Sequence, residues 1–282
     1  MKLTNKLNLP QPIVKAVRND SYDSGGCDIS VTSLLKPPQL RALELQHADA
    51  ITEDVSERIW SLVGQCIHGI LERAEETAIA ERRLFIEVNG WKIGGQMDRF
   101  VAKEGILQDY KVTSVYKVRD GVTEDFAKQL NIYAHILRAN GEAVHKLEIV
   151  AILRDWSKNM ARREENYPTN QIMVLEVPLI PDAEVLEFIK ERVALHQAAA
   201  KGTFPVCTAE ERWAKPDTYA VKKKDMARAV RVCNSQLAAK QVLGEKGAGY
   251  NIEFRPGESV RCESYCSVKS FCQQYKDLKE AK

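Results

Sequence analysis

A chain of 282 residues suffices for one large domain or two small ones and can bury a sizeable core. With 44% hydrophobic and 28% charged residues and no apolar run as long as a membrane span, the composition excludes a disordered chain and a membrane-spanning one. A net charge of only +2 excludes a uniform polycation, so any nucleic-acid site must be a local basic patch set against acidic surface elsewhere.

The first residues, MKLTNKLNLPQP, lack the apolar centre of a signal peptide, which makes the cytoplasm the expected compartment. Residues 1–28 are polar, carry Ser-Tyr-Asp-Ser-Gly-Gly and read as a flexible or loosely docked N-terminal arm. Residues 29–47 hold a short segment, a Lys-Pro-Pro break and a helix start. Residues 52–80 read as one long helix. Ile59, Leu62, Val63, Cys66, Ile70 and Leu71 share an apolar face, Cys66 is expected in the core, and His68 shares another face with Glu72. Residues 83–88 (RLFIEV) are the first strand, and Asn89-Gly90 is a two-residue hairpin signal. Glu87 reads as a solvent-facing or structural residue.

The stretch 91–114, WKIGGQMDRFVAKEGILQDYKVTS, reads as two strands joined at Lys103-Glu104-Gly105. Asp98 interrupts the first strand, and Asp109 and Lys111 end the second. Side chains alternate faces along a strand, so Asp109 and Lys111 project together while Tyr110 points away. A hairpin can bring Asp98 beside Asp109. Two adjacent carboxylates repel one another but suit a hard divalent cation, which keeps several waters and takes phosphate oxygens as further ligands. Such an ion lowers the pKa of its water and stabilises charge on a phosphoryl group, and a lysine two residues on can orient that water.

Residues 123–139 form an amphipathic helix closed by Asn140-Gly141, with Gln129 and Tyr133 one turn apart on one face. Residues 146–154 are a near-continuous apolar strand. Arg154, Trp156, Lys158, Arg162 and Arg163 follow as a cationic loop with an indole. Such a loop can bind phosphate and stack a base, or it can be a solvated loop capped by a tryptophan. Residues 171–178 are the last core strand and 181–201 a further helix.

Beyond residue 201 the character changes: a Pro-bounded Cys207, a basic run Lys222-Lys223-Lys224, a helical stretch expected at 225–240, a Gly-rich link at 244–249, a strand at 250–254 and then RCESYCSVKSFC. Cys262, Cys266 and Cys272 fall within eleven residues, which is metal-ligand spacing rather than packing. A structural site needs a fourth ligand. Cys207, presented on a loop, is the preferred one, with Cys233, expected in an apolar helical register, as the alternative.

The order of apolar strand, Gly-Gly, Asp98, turn, apolar strand, Asp109-Tyr110-Lys111 and then a helix resembles the PD-(D/E)XK nuclease superfamily, in its RecB-like and phage-exonuclease branch. Met97 stands where the family name has proline. The resemblance implies an α/β fold with a restriction-endonuclease-like core at 29–200, a mixed sheet flanked by helices, and a C-terminal cysteine-bound appendage at 201–282 packed on it. It makes Asp98, Asp109 and Lys111 catalytic. His68, within G-x-x-x-H-x-x-x-E, becomes a metal ligand beside Asp98, Asp109 and the Tyr110 or Gln108 carbonyl, holding Mg²⁺ or Mn²⁺. Gln129 and Tyr133 match a Q-x-x-x-Y motif that touches DNA or braces the site. The resemblance implies a [4Fe–4S] cluster on the cysteines, and spacing alone leaves Zn²⁺ open. DNA is the implied partner, with a recombinase, an annealing protein or a helicase beside it, self-assembly into rings as one family habit, and phage recombination or repair as the setting. Two rival readings are a nuclease-fold DNA-binding or assembly protein without turnover, and a zinc-stabilised regulatory protein.

Overall fold

The computed structural model describes residues 2–19, 24–74 and 78–280. By internal contacts the chain divides into two compact units, Met1–Pro38 with Ala48–Thr203, and Gln39–His47 with Phe204–Lys282. The second unit therefore takes in 39–47 besides the C-terminal segment, where the sequence places 39–47 in the 29–200 core.

In the first unit the chain forms β1 (Lys2–Thr4), α1 (Gln11–Arg18), β2 (Ile29–Ser30) and the short α2 (Val31–Leu34), then enters α3 (Pro38–Gln46), most of which belongs to the second unit. Within the expected arm, residues 2–18 form β1 and α1, docked on β3 (Thr52–Asp54) and the turn that follows it. β1 pairs in parallel with β3, and Asp54 accepts hydrogen bonds from the Lys6 N–H, the Thr4 hydroxyl and the Ser56 hydroxyl and N–H. Val14 and Val17, three apart on α1, bury against Val55. The Ser-Tyr-Asp part of the expected arm at 21–23 lies outside the described residues.

The long helix expected at 52–80 is shorter. Asp54 caps a 3₁₀ turn at Val55–Arg58, and α4 (Ile59–Ala74) follows, residues 75–77 lying outside the described residues. Its apolar face is not core: no residue of α4 is fully buried, and Cys66 and Ile70 are exposed. The helix packs mainly on β6, α1 and the 3₁₀ turn, too little surface to cover a whole stripe.

β4 (Ile79–Val88) and β5 (Trp91–Val101) pair along their whole length around Asn89-Gly90, both with positive φ as a tight hairpin turn requires. The sheet continues through β6 (Ile106–Thr113), β7 (Lys146–Leu153) and β8 (Ile172–Val177), in the order β2-β5-β6-β7-β8 with β4 on β5. The β6–β7 pair is parallel, crossing over through α5 (Val115–Val118) and α6 (Glu124–Ala139). β8 returns antiparallel, with α7 (Lys158–Arg163) in the loop before it, and α8 (Asp182–Ala200) closes the unit. Leu130, Ile132, Ala134, Ile136 and Leu137 of α6 and Val185, Ile189 and Val193 of α8 join the sheet's apolar residues in one core. Each such side chain contributes about 1.5–3 kcal/mol by leaving water. The Gly-Gly of β5 serves this packing: a Cβ on Gly95 would lie 2.9 Å from the Tyr133 ring.

In the second unit the antiparallel sheet β10-β9-β11 comprises β9 (Thr218–Lys223), β10 (Ala229–Cys233) and β11 (Tyr250–Arg255), with α9 (Gln236–Lys246) packed on it through Ala239 and Val242. The helix expected at 225–240 is therefore a strand followed by a helix: Val230, Val232 and Cys233 are β-favouring, and Ser235 caps α9 by accepting from the Ala238 N–H. Residues 261–265 form one π-helical turn, and α10 (Gln273–Glu280) ends the chain's described part.

Candidate metal centres

The first centre is built where β5 changes partners. On one side β5 runs against β4 throughout. On the other it pairs with β2 at Ile93 and Gly94 and with β6 only from Arg99 to Val101. Asp98 stands in the gap. Continuing the Arg99–Gln108 register by one residue sets it opposite Asp109, and the Asp98 carboxylate accepts the Tyr110 N–H at 2.7 Å where a ladder bond would otherwise run.

His68 of α4 reaches this gap. Its Nδ1 lies 3.3 Å from Asp98 Oδ1 and 3.3 Å from Glu81 Oε1. Among the described residues, His68, Glu81 and Asp98 are the one set of His, Cys, Asp and Glu donors lying within 4.8 Å of one another. Each carboxylate has one oxygen tied to the scaffold and one turned to the histidine. Glu81 Oε2 accepts the Gln96 amide at 2.6 Å, Gln96 in turn being held by Arg83, and Asp98 Oδ2 accepts Tyr110 N–H. Such outer partners fix ligands in place. The Tyr110 ring meets His68 edge-on, with centroids 6.2 Å apart. With no cation between them, the two acids, Asp98 foremost, push the His68 pKa up to about 10 against the cost of burial. An imidazolium fills the seat that a divalent cation would take, and the donor set of one imidazole and two carboxylates fits Mg²⁺ or Mn²⁺.

The compact set thus has Glu81 where the sequence reading places Asp109. Asp109 is 3% exposed and ion-paired to Lys111 at 2.6 Å. Burial pushes its carboxyl up to about 6, the Lys111 charge works against that rise, and the nearby Asp98 adds to it. Burial disfavours the charge on Lys111, but Asp109 outweighs it and the pKa rises. Lys111 stays cationic and 21% exposed in its side chain, beside the Phe126 ring. On the opposite strand face Gln108 is spent internally, accepting from Arg99 and donating to Glu148.

Glu81 lies on β4 two residues ahead of the strand start that the apolar run 83–88 predicts. The signal was present: counting outward from Asn89-Gly90 in the register that pairs Val88 with Trp91 brings residue 81 opposite residue 98. Ala80 and Arg82 pair normally while Glu81 itself takes a φ of 49°, a left-handed conformation that re-aims its side chain. Glu72 is exposed and outside the set.

Gln129 donates to the Tyr133 hydroxyl at 3.1 Å, and Tyr133, buried on Gly95, braces α6 against the strand that carries Asp98. Arg154 lies over the exposed Trp60 ring, 4.4 Å from its centroid. Trp156 turns inward: its indole N–H donates to the Pro168 carbonyl at 2.8 Å and the ring packs on the core, the capping alternative of the two left open for it.

The second centre lies wholly in the second unit. Cys207, Cys262, Cys266 and Cys272 line one small cavity with Leu40, Leu43 and Val268. The fourth cysteine lining this cavity is Cys207. Cys233 is buried elsewhere, in the core beneath α9. Cys207 is fixed by Gln274, which accepts its N–H at 2.9 Å and donates to its carbonyl at 2.9 Å, and its sulfur lies 3.6 Å from Gln39 Oε1. Burial, then Glu211 and the other three sulfurs, push its thiol up to about 12, and burial raises Cys262 and Cys266 as well. Cys207, Cys262 and Cys266 resist ionising while sharing one cavity with Cys272, a cost that a thiophilic cation would reverse, so the donor set fits a structural metal or cluster. Cys27, in the first unit, packs instead against β5, where a Cβ on Gly94 would meet its sulfur at 2.8 Å.

No helix among the described residues is long and apolar enough to cross a membrane. Among solved structures, that of SSO0001 matches at 19% identity with a TM-score of 0.46, over 65% of this chain and 84% of that one. A candidate exonuclease from Eubacterium rectale matches at 15% identity and a TM-score of 0.32, over 57% and 62%. No curated protein matches. The family model for the PD-(D/E)XK nuclease superfamily matches residues 36–273, a span holding both centres, and the chain belongs to that superfamily.

Proposed function

We propose that the protein is a Mg²⁺- or Mn²⁺-dependent deoxyribonuclease. The observation that carries this reading is the convergence of His68, Glu81 and Asp98 on one point beside the buried Asp109–Lys111 pair. His68, Glu81 and Asp98 would hold the cation, with Asp109 and the Tyr110 carbonyl next to them on β6. When bound, the cation supplies a lowered water pKa and charge neutralisation at a phosphate oxygen. Lys111, aimed by Asp109, orients the water and faces the developing negative charge. Tyr110 N–H and Gln96 keep the carboxylates from turning away. Hydrolysis from DNA ends, in recombination or repair and beside a recombinase or helicase, is the mode that the family resemblance supports.

Cys207, Cys262, Cys266 and Cys272 would hold a [4Fe–4S] cluster, which supplies cross-linking of the chain around the sulfurs. The family resemblance supports iron–sulfur over zinc.

The test is cleavage of end-labelled linear, closed circular and single-stranded DNA with Mg²⁺ or Mn²⁺, with a visible spectrum of the same anaerobic preparation. Loss of linear substrate that disappears in Asp98→Ala supports the reading. DNA binding without cleavage, or stoichiometric zinc without cleavage, overturns it.

A further inference from the structure

Residues 218–255, the small sheet and α9, carry eight lysines and arginines against three acidic residues, a net charge of +5 in a chain whose total is +2. The remainder of the chain is net negative, at −3. The packing of this region does not use the cations: its core is Val221, Cys233, Ala239 and Val242. Of the acids, Glu253 is consumed internally, paired at 2.6 Å with both Lys222 and Arg255. Lys223, Lys224, Arg228, Arg231, Lys240 and Lys246 are exposed, and none forms an ion pair with a described residue.

Four of these six converge. Ala229 faces Lys222 across the β9–β10 ladder, which sets Arg228 beside Lys223. The Lys224 N–H donates to the Gly249 carbonyl at 2.8 Å, bringing the β9–β10 turn against the link that begins just after Lys246 at the end of α9. Like charges on neighbouring strands repel and cost stability. A polyanion converts that cost into binding, because each phosphate neutralised releases counterions.

We propose that this end of the β9–β11 sheet is a second DNA contact, a sequence-independent seat for backbone phosphates separate from the hydrolytic centre. It rests on the reading that the substrate is DNA. Such contacts fix the position of the strand and leave its sequence unread.

The experiment compares the full-length protein with a Lys223→Glu/Lys224→Glu/Arg228→Glu variant and a Lys223→Arg/Lys224→Arg/Arg228→Lys variant. Anisotropy of a labelled DNA 30-mer is read without added divalent metal, across a salt series. The reversal variant is expected to bind at least ~10-fold more weakly at 0.1 M salt, with a log Kd against log salt slope shallower by about two to three. The conservative variant keeps the wild-type affinity. Hydrolysis of a minimal ester, thymidine 5′-(p-nitrophenyl phosphate), which carries a single phosphodiester and no flanking backbone, keeps its wild-type kcat/KM in both. Should the reversal disturb folding, seen in the thermal melt, alanines at the three positions carry the same test with the same sign. Unchanged affinity and slope overturn the proposal, as does wild-type protein that ignores DNA yet binds phosphatidylglycerol vesicles. DNA bound through these residues but not cut would refute the nuclease reading and leave this contact standing.

Discussion

The two centres differ in how the chain builds them. The hydrolytic one draws His68 from a helix and Glu81, Asp98, Asp109 and Lys111 from three adjacent strands, so its donors are held by sheet register and by hydrogen bonds from Gln96 and Tyr110. The sulfur centre gathers Cys207, Cys262, Cys266 and Cys272 from a loop, a π-helical turn and the approach to α10, with little regular structure to fix them. A cation in the first is a reagent on a scaffold that already stands. A metal in the second is itself part of the scaffold.

The sharpest way to break this contrast is to remove one sulfur. Cys272→Ser is expected to abolish the visible chromophore and the iron and sulfide content, and to strip hydrogen-exchange protection from the second unit. The binding energy of a structural tetrathiolate metal is on the order of ten kcal/mol and doubles as folding energy. Cys233→Ser, in the apolar core under α9, is expected to leave iron content unchanged. Equal loss in both would mean that Cys207 is not the fourth ligand.

The next effect in size falls on turnover. Lys111→Ala or Asp109→Asn is expected to lower kcat on linear DNA by about 10²–10³, or roughly 3–4 kcal/mol in the barrier. Asp109→Asn is the cleaner variant, since removing Lys111 leaves a buried carboxylate without its counter-charge. In contrast to the sulfur variants, Asp109→Asn should leave the melting transition of the first unit in place. A large fall in its melting temperature with activity retained would reverse the roles assigned to the two centres.

How far each centre could be read from the sequence follows from the same difference. The sulfur cavity announces itself by residue type: clustered cysteines have few other uses, so Cys262, Cys266 and Cys272 pointed to one place, and Cys207, set against Cys233 by its loop position, lines the same cavity. The hydrolytic site depends on register. Asp98, Asp109 and Lys111 stood out because they interrupt apolar strands, whereas Glu81 lies in the run Glu-Arg-Arg, which looks like a solvated strand entry until the hairpin is counted back from Asn89-Gly90. The strands β5 to β8 and the helices α6 and α8 were legible because their apolar period is long and regular. The 225–240 stretch was misread because alternation over only five residues, 229–233, is too short to outweigh the helical pattern that follows it. The burial of Cys66 was misjudged because periodicity gives a face and says nothing about whether anything covers it.

Glu81 supplies a smaller effect and a direct check on register. Glu81→Gln keeps the hydrogen bond to Gln96 within reach but removes one charge from the cation seat. Metal affinity is expected to fall by about 10–100-fold, with the sulfur centre untouched. Activity should recover at raised Mn²⁺, since the water-orienting pair is intact. A variant with unchanged metal dependence would place the cation nearer Asp109 than Glu81.

The smallest effect is a proton count. Without metal, His68 sits between Asp98 and Glu81 with its pKa raised to about 10 from an ordinary 6.5. The group gains protons on folding, so its contribution to the stability of the metal-free protein is fully present below about pH 6.5 and is lost as pH rises through 10. The buried Asp109, raised to about 6 from 3.8, acts in the same sense: stability falls as pH rises from about 4 to 6. A cation bound by a neutral imidazole replaces that proton, so loading Mn²⁺ at pH 7.5 should release close to one proton per ion. Calorimetry in buffers of different ionisation enthalpy reads this directly. The interval between metal-free and metal-loaded melting temperatures should widen from pH 6 to pH 9. The sulfur centre would also release protons on loading, but losing its metal is expected to unfold the second unit, so no such pair of melting curves should exist for it. Mn²⁺ uptake without proton release would mean that His68 keeps its proton and stands outside the coordination shell.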